Sequence, residues 1–186
     1  MTFQPPPPSQ RLQLLKELGL LDAVTTAQGI DELDAFAADL ARAFRALLAD
    51  NAEVRPDFPG LYAMVNFVTD RQVFVGLHSP EGMPEVARTM PCDQGYCPAV
   101  VDRRKPLVLP DVYAAPRFAG NPVVDQLGIR TYAGAPLTHP RTGTVLGTVC
   151  VVGVDQLPLS TGRPSLELIK GRSATLMRHL TSRSPH

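Results

Sequence analysis

Gly128-Ile-Arg-Thr-Tyr-Ala-Gly-Ala-Pro-Leu137 and Gly143-Thr-Val-Leu-Gly-Thr-Val-Cys-Val-Val152 decide the architecture of this chain. Both runs are rich in β-branched and small apolar residues, and they predict strands over Ile129–Leu137 and Thr144–Val154. The residues 138–144 that join them include Pro140 and Gly143, the chemistry of a hairpin loop. Gly134 and Gly147 interrupt the two strands, which predicts a bulge or a close backbone approach at each.

Working outward, Leu61–Val68 and Gln72–His78 have strand composition, and Thr69-Asp70-Arg71 is short enough for a tight turn between them. Residues 79–91, with Pro80, Gly82, Pro84 and Pro91, read as loop. A short helix is expected near 95–103, then a strand over Pro106–Leu109. Residues 111–128 are long for a plain connection, and such segments often carry function. Towards the N-terminus, Ser9 suits an N-cap for a helix bearing Leu12, Leu15, Leu18 and Leu21, with Gly19 weakening its end. Beyond Gly29, the stripe Ile30, Leu33, Phe36, Leu40, Phe44 and Leu47 predicts a second helix, and Asp31 and Asp34 favour its N-terminus. A last helix is expected from about Pro164 to Leu180. Five or six strands with helices at both ends make an α+β domain: a mostly antiparallel sheet with its helices on one face. The domain is expected over 9–182, with terminal helical segments at 9–50 and 163–181. Pro5–Pro8 place a disordered polyproline tail at 1–8, and 183–186 form a short tail.

The 186 residues contain 18 Lys+Arg and 18 Asp+Glu, and 44% are hydrophobic, the profile of one soluble globular domain. No apolar run is long enough to cross a membrane, and neutrality argues against nucleic acid as a partner. Three cysteines form no complete disulfide set, which favours a cytoplasmic setting. The neutrality is uneven: residues 1–58 carry five basic and nine acidic side chains, and residues 156–186 carry five basic and one acidic. The acidic N-terminal helices and the basic C-terminal helix are therefore expected to meet, within a subunit or across a dimer.

Pro106-Leu-Val-Leu-Pro-Asp-Val-Tyr-Ala-Ala-Pro-Arg-Phe-Ala-Gly-Asn-Pro122 resembles the mid-domain signature of bacterial GAF domains, and the two opening stretches resemble that family's final hairpin. Thr69-Asp70-Arg71-Gln72 and Arg11-Leu-Gln-Leu-Leu-Lys-Glu-Leu-Gly-Leu-Leu-Asp22 extend the similarity to about residues 10–180. The resemblance implies a six-stranded antiparallel sheet with terminal helices on one face and a small-molecule pocket on the other. It also implies a sensory or regulatory role without catalysis, a homodimer through the terminal helices, and a separate output protein. It names no ligand or cofactor.

The candidate ligand-binding residues are Tyr96, Cys97, Asp111, Arg117, Phe118, Arg130 and Tyr132. Arg117 has the planar fork to reach an anion; the alternative is that it pairs with Asp111 to hold the connection. Alternation puts Arg130 and Tyr132 on one strand face, opposite Thr131. Cys97 stands where the family often has a cysteine opening a helix, a position that favours thiolate. Cys150, within Val149-Cys-Val-Val152, reads as a buried inert thiol. No zinc-binding spacing links the cysteines and histidines, so no metal is expected. His78, His139 and His179 read as surface residues. One enzymatic branch of the family, free methionine-R-sulfoxide reductase, carries cysteine in a Gly-x-Cys-Gly turn with further cysteines around it. Gly95-Tyr-Cys97-Pro98 resembles that turn, with Cys92 as partner, but Pro98 replaces glycine and residues 111–128 hold no cysteine. A third alternative is an interaction protein with a vestigial pocket. The absence of a Cys-His dipeptide argues against bilin attachment.

Overall fold

A computed structural model describes residues 8–183; of the tails expected at 1–8 and 183–186, residues 1–7 and 184–186 lie outside the described residues, and Pro8 opens a helix. The helices are α1 (Pro8–Glu17), α2 (Leu21–Thr26), α3 (Asp31–Ala49), α4 (Cys97–Arg103), α5 (Pro116–Ala119), α6 (Pro122–Leu127) and α7 (Gly162–Ser182). The strands are β1 (Tyr62–Val68), β2 (Gln72–His78), β3 (Thr89–Met90), β4 (Leu107–Leu109), β5 (Thr131–Thr138) and β6 (Val145–Gly153). They form one six-stranded sheet in the order β3-β2-β1-β6-β5-β4, with every neighbouring pair antiparallel. The α+β architecture expected from the sequence is the one observed.

Alternation sorts the side chains of the sheet into two cores. Ala63, Val65 and Phe67 of β1 face one way with Ala133, Ala135 and Leu137 of β5, against Leu33, Leu40 and Phe44 of α3 and Ile169, Leu176 and Leu180 of α7. Tyr62, Met64, Tyr132 and Cys150 face the other way, against α4, α6 and the segment between them. Every residue of β1 is buried because both faces of the sheet are covered.

Several local expectations are corrected. The first helix is two helices: α1 stops at Glu17, and Gly19 turns the chain with φ +71° before Leu21 opens α2. Ser9 is therefore not an N-cap, since α1 already begins at Pro8. Leu12 is exposed, and Arg11, Leu14 and Leu15 form the buried face of α1. The loop 79–91 contains β3, and residues 111–128 hold a short 3-10 turn with α5 and α6. Gly134 and Gly147 are sites of close approach; the register shifts fall at Val65/Asn66 and Leu137/Thr138. At Gly147 a Cβ would stand 1.8 Å from the Asn66 carbonyl oxygen, so β1 and β6 pair there only because the side chain is missing.

The unequal charges of the two chain ends meet within one chain. Arg172 of α7 donates to Asp39 of α3 at 2.5 Å, the His179 ring nitrogen lies 2.5 Å from Glu32, and Arg183 also pairs with Glu32. His179 is thus a surface residue, but a paired one.

Candidate functional site

On the sheet face opposite α3 and α7 lies a cavity of about 540 Å³. Its floor is Tyr62, Met64, Phe74, Tyr132, Cys150 and Val152; its walls come from residues 83–87, Thr89 and Met90, the 94–97 turn and α6. Asn121 builds the roof. Its Oδ1 accepts from Gly95 N at 2.9 Å and Val123 N at 3.2 Å, while its Nδ2 donates to Gly95 O at 2.7 Å. One side chain thereby caps α6 and clamps the turn that delivers Tyr96 and Cys97. The sequence signal was an Asn directly before a Pro at a helix start.

The polar groups around the cavity are largely committed to the protein. Gln72 Nε2 donates to Pro91 O at 2.8 Å and Gln94 O at 2.7 Å, and its Oε1 accepts from Asn66 Nδ2 at 3.0 Å. The Tyr62 hydroxyl donates to Pro84 O at 2.7 Å, and that of Tyr96 to Phe118 O at 2.9 Å. Burial pushes the Tyr96 phenol up to about 12. Glu85, exposed at the mouth, is the one charged residue of the lining among the described residues.

The sulfurs of Cys97 and Cys150 meet at the floor, 3.5 Å apart, and Cys97 Sγ also lies 3.3 Å from the Tyr132 hydroxyl. The ring of Tyr132 packs on Tyr96 with centroids 5.2 Å apart. Ionisation of Cys97 is favoured because the Cys150 thiol, Thr148, Tyr132 and Asn66 all offer hydrogen bonds to its thiolate, against the opposing effect of burial. The Cys150 thiol is pushed up by its bond to Cys97 and by burial, and the Tyr132 phenol is pushed up by burial and by the adjacent sulfurs. Hydrogen bonding, with Cys150 first, is what lowers Cys97. Cys150 is buried as expected, yet it touches the thiol whose chemistry it alters.

The remaining sequence candidates are dispersed. Cys92 packs against Val68, Val101 and Val145, away from the cavity lining, and burial together with Asp70 and Asp93 pushes its thiol up. The Cys92–Cys97 pair of the reductase pattern is therefore not assembled. Arg117 is exposed over the Phe118 ring and has not paired with Asp111. Arg130 takes that role at 3.4 Å, while also donating to Gln156 at 2.8 Å and stacking 4.4 Å from the Tyr113 ring centroid. Arg130 precedes β5 and points to this outer cluster, so it does not share the Tyr132 face. Asp111, Arg117, Phe118 and Arg130 lie outside the lining; Tyr96, Cys97 and Tyr132 are within it. His139, expected at the surface, is only 3% exposed, with Nδ1 3.3 Å from the Thr142 hydroxyl. Among the described residues no three His, Cys, Asp or Glu side chains cluster to hold a metal ion, and no helix is long and apolar enough to cross a membrane.

The model of the GAF domain matches residues 31–170. No curated protein sequence matches. Among solved structures, the free methionine-R-sulfoxide reductase of Neisseria meningitidis in complex with its substrate superposes with a TM-score of 0.54 at 15% identity, over 97% of this chain and 95% of that one. The GAF domain of the Acinetobacter phosphoenolpyruvate-protein phosphotransferase gives 0.53 at 14% identity, over 93% and 94%. The PixJ GAF domain of Thermosynechococcus elongatus, in its blue-light absorbing form, gives 0.52 at 16%, over 82% and 90%. At such identities these likenesses speak for the fold alone, and enzymes and sensors both occur among them. With the family model spanning α3, the whole sheet, the cavity and the first nine residues of α7, the chain belongs to the GAF domain family.

Proposed function

We propose that this chain is a sensory or regulatory module whose cavity takes a small, uncharged, mainly apolar molecule and passes its occupancy to a separate protein through the terminal helices. The observation that carries this reading is the cavity of about 540 Å³, walled by Met, Val and aromatic side chains whose polar atoms already have protein partners. That size falls in the usual range for small-molecule pockets, about 300–1,000 Å³. A buried ion without a partner costs several kcal/mol, so a lining that offers only Glu85 at its mouth disfavours anions and zwitterions. Free methionine sulfoxide is a zwitterion, and the arginines suited to its carboxylate stand outside the cavity. These two points favour the binding reading over the reductase one.

Transmission requires that the ligand bind one arrangement of the domain better than another. The sheet supplies the connection: β1, β5 and β6 line the cavity on one face and bear α3 and α7 on the other. Thermal-shift titration with indole, a neutral apolar heterocycle, tests the reading. Stabilisation of the wild type that disappears when Met90→Trp fills the cavity is expected. Stabilisation by benzoate or methionine sulfoxide alone, or release of methionine from the sulfoxide in the presence of a thiol donor, overturns it.

A further inference from the structure

We propose that Cys97 and Cys150 form a redox-active dithiol that reduces small apolar organic hydroperoxides entering through the cavity, closing to a disulfide as they do so. The inference begins with geometry. The two sulfurs, from residues 53 positions apart in sequence, are in van der Waals contact at 3.5 Å across the junction of α4 and β6. A disulfide needs about 2.05 Å, so each sulfur has only to move by under about 1 Å. Both cysteines belong to the cavity lining, with Cys150 fully buried behind Cys97, so a molecule inside the cavity meets Cys97 first.

The surroundings are those of a thiol prepared to ionise. Thr148 Oγ1 is buried and has no hydrogen-bond partner among the described residues, an unusual cost for a hydroxyl on a central strand. The Thr148 hydroxyl, the Asn66 amide N–H and the Tyr132 hydroxyl are the donors that favour a thiolate at Cys97, and the Tyr132 oxygen stands 3.3 Å from its sulfur. An inert packing cysteine needs none of these. Cys97 is the sulfur that the Tyr132 hydroxyl reaches and the one that keeps some exposure, 5% against 0% for Cys150, which assigns it the first attack.

Cys97 thiolate attacks the terminal oxygen of the hydroperoxide R–O–OH. The O–O bond breaks, the alkoxide takes up the proton that Cys97 gave up on ionising, and ROH leaves; Cys97 becomes a sulfenic acid. The Cys150 sulfur then attacks the Cys97 sulfur, the S–O bond breaks, and hydroxide leaves with the Cys150 proton as water. The dithiol loses two electrons, and the hydroperoxide gains them. A small dithiol reductant returns the pair to its starting state. The product disulfide ties α4 to β6, a covalent change at the floor of the cavity.

The proposal rests on the binding reading of the preceding section only for the route of access. The test uses the full chain carrying Cys92→Ser, so that thiol loss reports the pair alone. Treatment with cumene hydroperoxide is expected to remove both thiols, with a mass loss of about 2 Da for the two hydrogens and a Cys97–Cys150 peptide on non-reducing mapping. Cys150→Ser should stop at a dimedone-trapped sulfenic acid on Cys97, and Cys97→Ser should abolish the reaction. Tyr132→Phe should move the pH profile of the first step upward, a readout that packing alone does not give. Retention of both thiols, over-oxidation of Cys97 without a disulfide in the wild-type pair, or equal rates with hydrogen peroxide and cumene hydroperoxide overturns the proposal. An unreactive pair in a protein that still binds indole defeats the redox proposal and leaves the binding reading intact. Disulfide formation without any indole shift supports the dithiol and defeats the binding reading.

Discussion

Tyr132 folds back along β5 over Gly134: a Cβ built on Gly134 would stand 2.1 Å from the Tyr132 hydroxyl oxygen and 2.6 Å from the ring carbon that bears it. The missing side chain is what allows the phenol to lie flat at the cavity floor and reach Cys97 at 3.3 Å. Gly134 therefore positions a hydroxyl, two residues away, against a sulfur.

Gly134→Ala follows directly. Tyr132 is buried and held by contacts to Cys97 and Tyr96, so the added methyl pushes the ring off these partners towards the cavity, a repacking costing about 1–3 kcal/mol. Denaturant melts should show that loss in wild type and a smaller one in a Tyr132→Leu background, where the ring is gone. Equal penalties in both backgrounds would show that the clash is not with Tyr132.

Asn121→Ala should loosen the cavity roof. It removes the acceptor for Gly95 and Val123 N–H and the donor to Gly95 O, all in a partly buried setting. Loss of an N-cap costs about 0.5–2 kcal/mol, and the Gly95 bonds add to that. Hydrogen exchange should accelerate in the 94–97 turn and in α6 while the amides of β1 and β6 keep their protection. A uniform change across the domain would place the effect elsewhere.

The sheet and long helices were legible because they obey strong periodicities: alternation exposed the strands, and the stripe on α3 survives with Leu33, Leu40 and Phe44 buried. Sequence reasoning missed what depends on residues distant in the chain. Cys97 and Cys150 look like an opening cysteine and a packing cysteine, and only the approach of α4 to β6 makes them neighbours. Asp111 has a basic partner, but Arg130 reaches it across the start of β5 while the nearer Arg117 stands outside on α5. β3 was invisible because a strand of two residues carries no period.

Arg88 is a residue that the sequence did not single out, and it holds β2 to α3. Its guanidinium donates to both carboxylate oxygens of Asp34 at 3.0 and 2.8 Å and to Phe74 O at 3.0 Å, while Asp34 also accepts from Leu77 N at 2.8 Å. The pair is about one-third exposed, so solvent weakens it, yet the fork geometry and the backbone bonds distinguish it from a loose surface pair. Asp34→Ala should cost about 1–3 kcal/mol by urea denaturation. Arg88→Lys should recover little of the loss from Arg88→Ala, since an ammonium cannot span both oxygens. Full recovery by Lys would reduce the contact to simple charge attraction.

His139 gives the domain a pH dependence with a definite sign. It sits in the hairpin between β5 and β6, where its N–H donates to Thr144 O at 2.8 Å and its carbonyl accepts from Gly143 N at 2.8 Å. Burial, helped by Arg141, holds its imidazole below the ordinary histidine value, and burial acts on His78 in the same direction, helped by Arg42. Glu17 opposes the shift at His139 without reversing it. In the unfolded chain both rings take up a proton near the ordinary value of about 6.5; in the folded chain they do so only at lower pH. The unfolded state thus binds more protons in that window, and stability falls as pH drops from about 6.5 through the lower folded values. His139→Asn should flatten this part of the stability profile, leaving the slope due to His78 and to the ionisation of Cys97. Thermal melts between pH 7.5 and 5 at constant ionic strength measure it, and a slope unchanged by His139→Asn would remove His139 as its source.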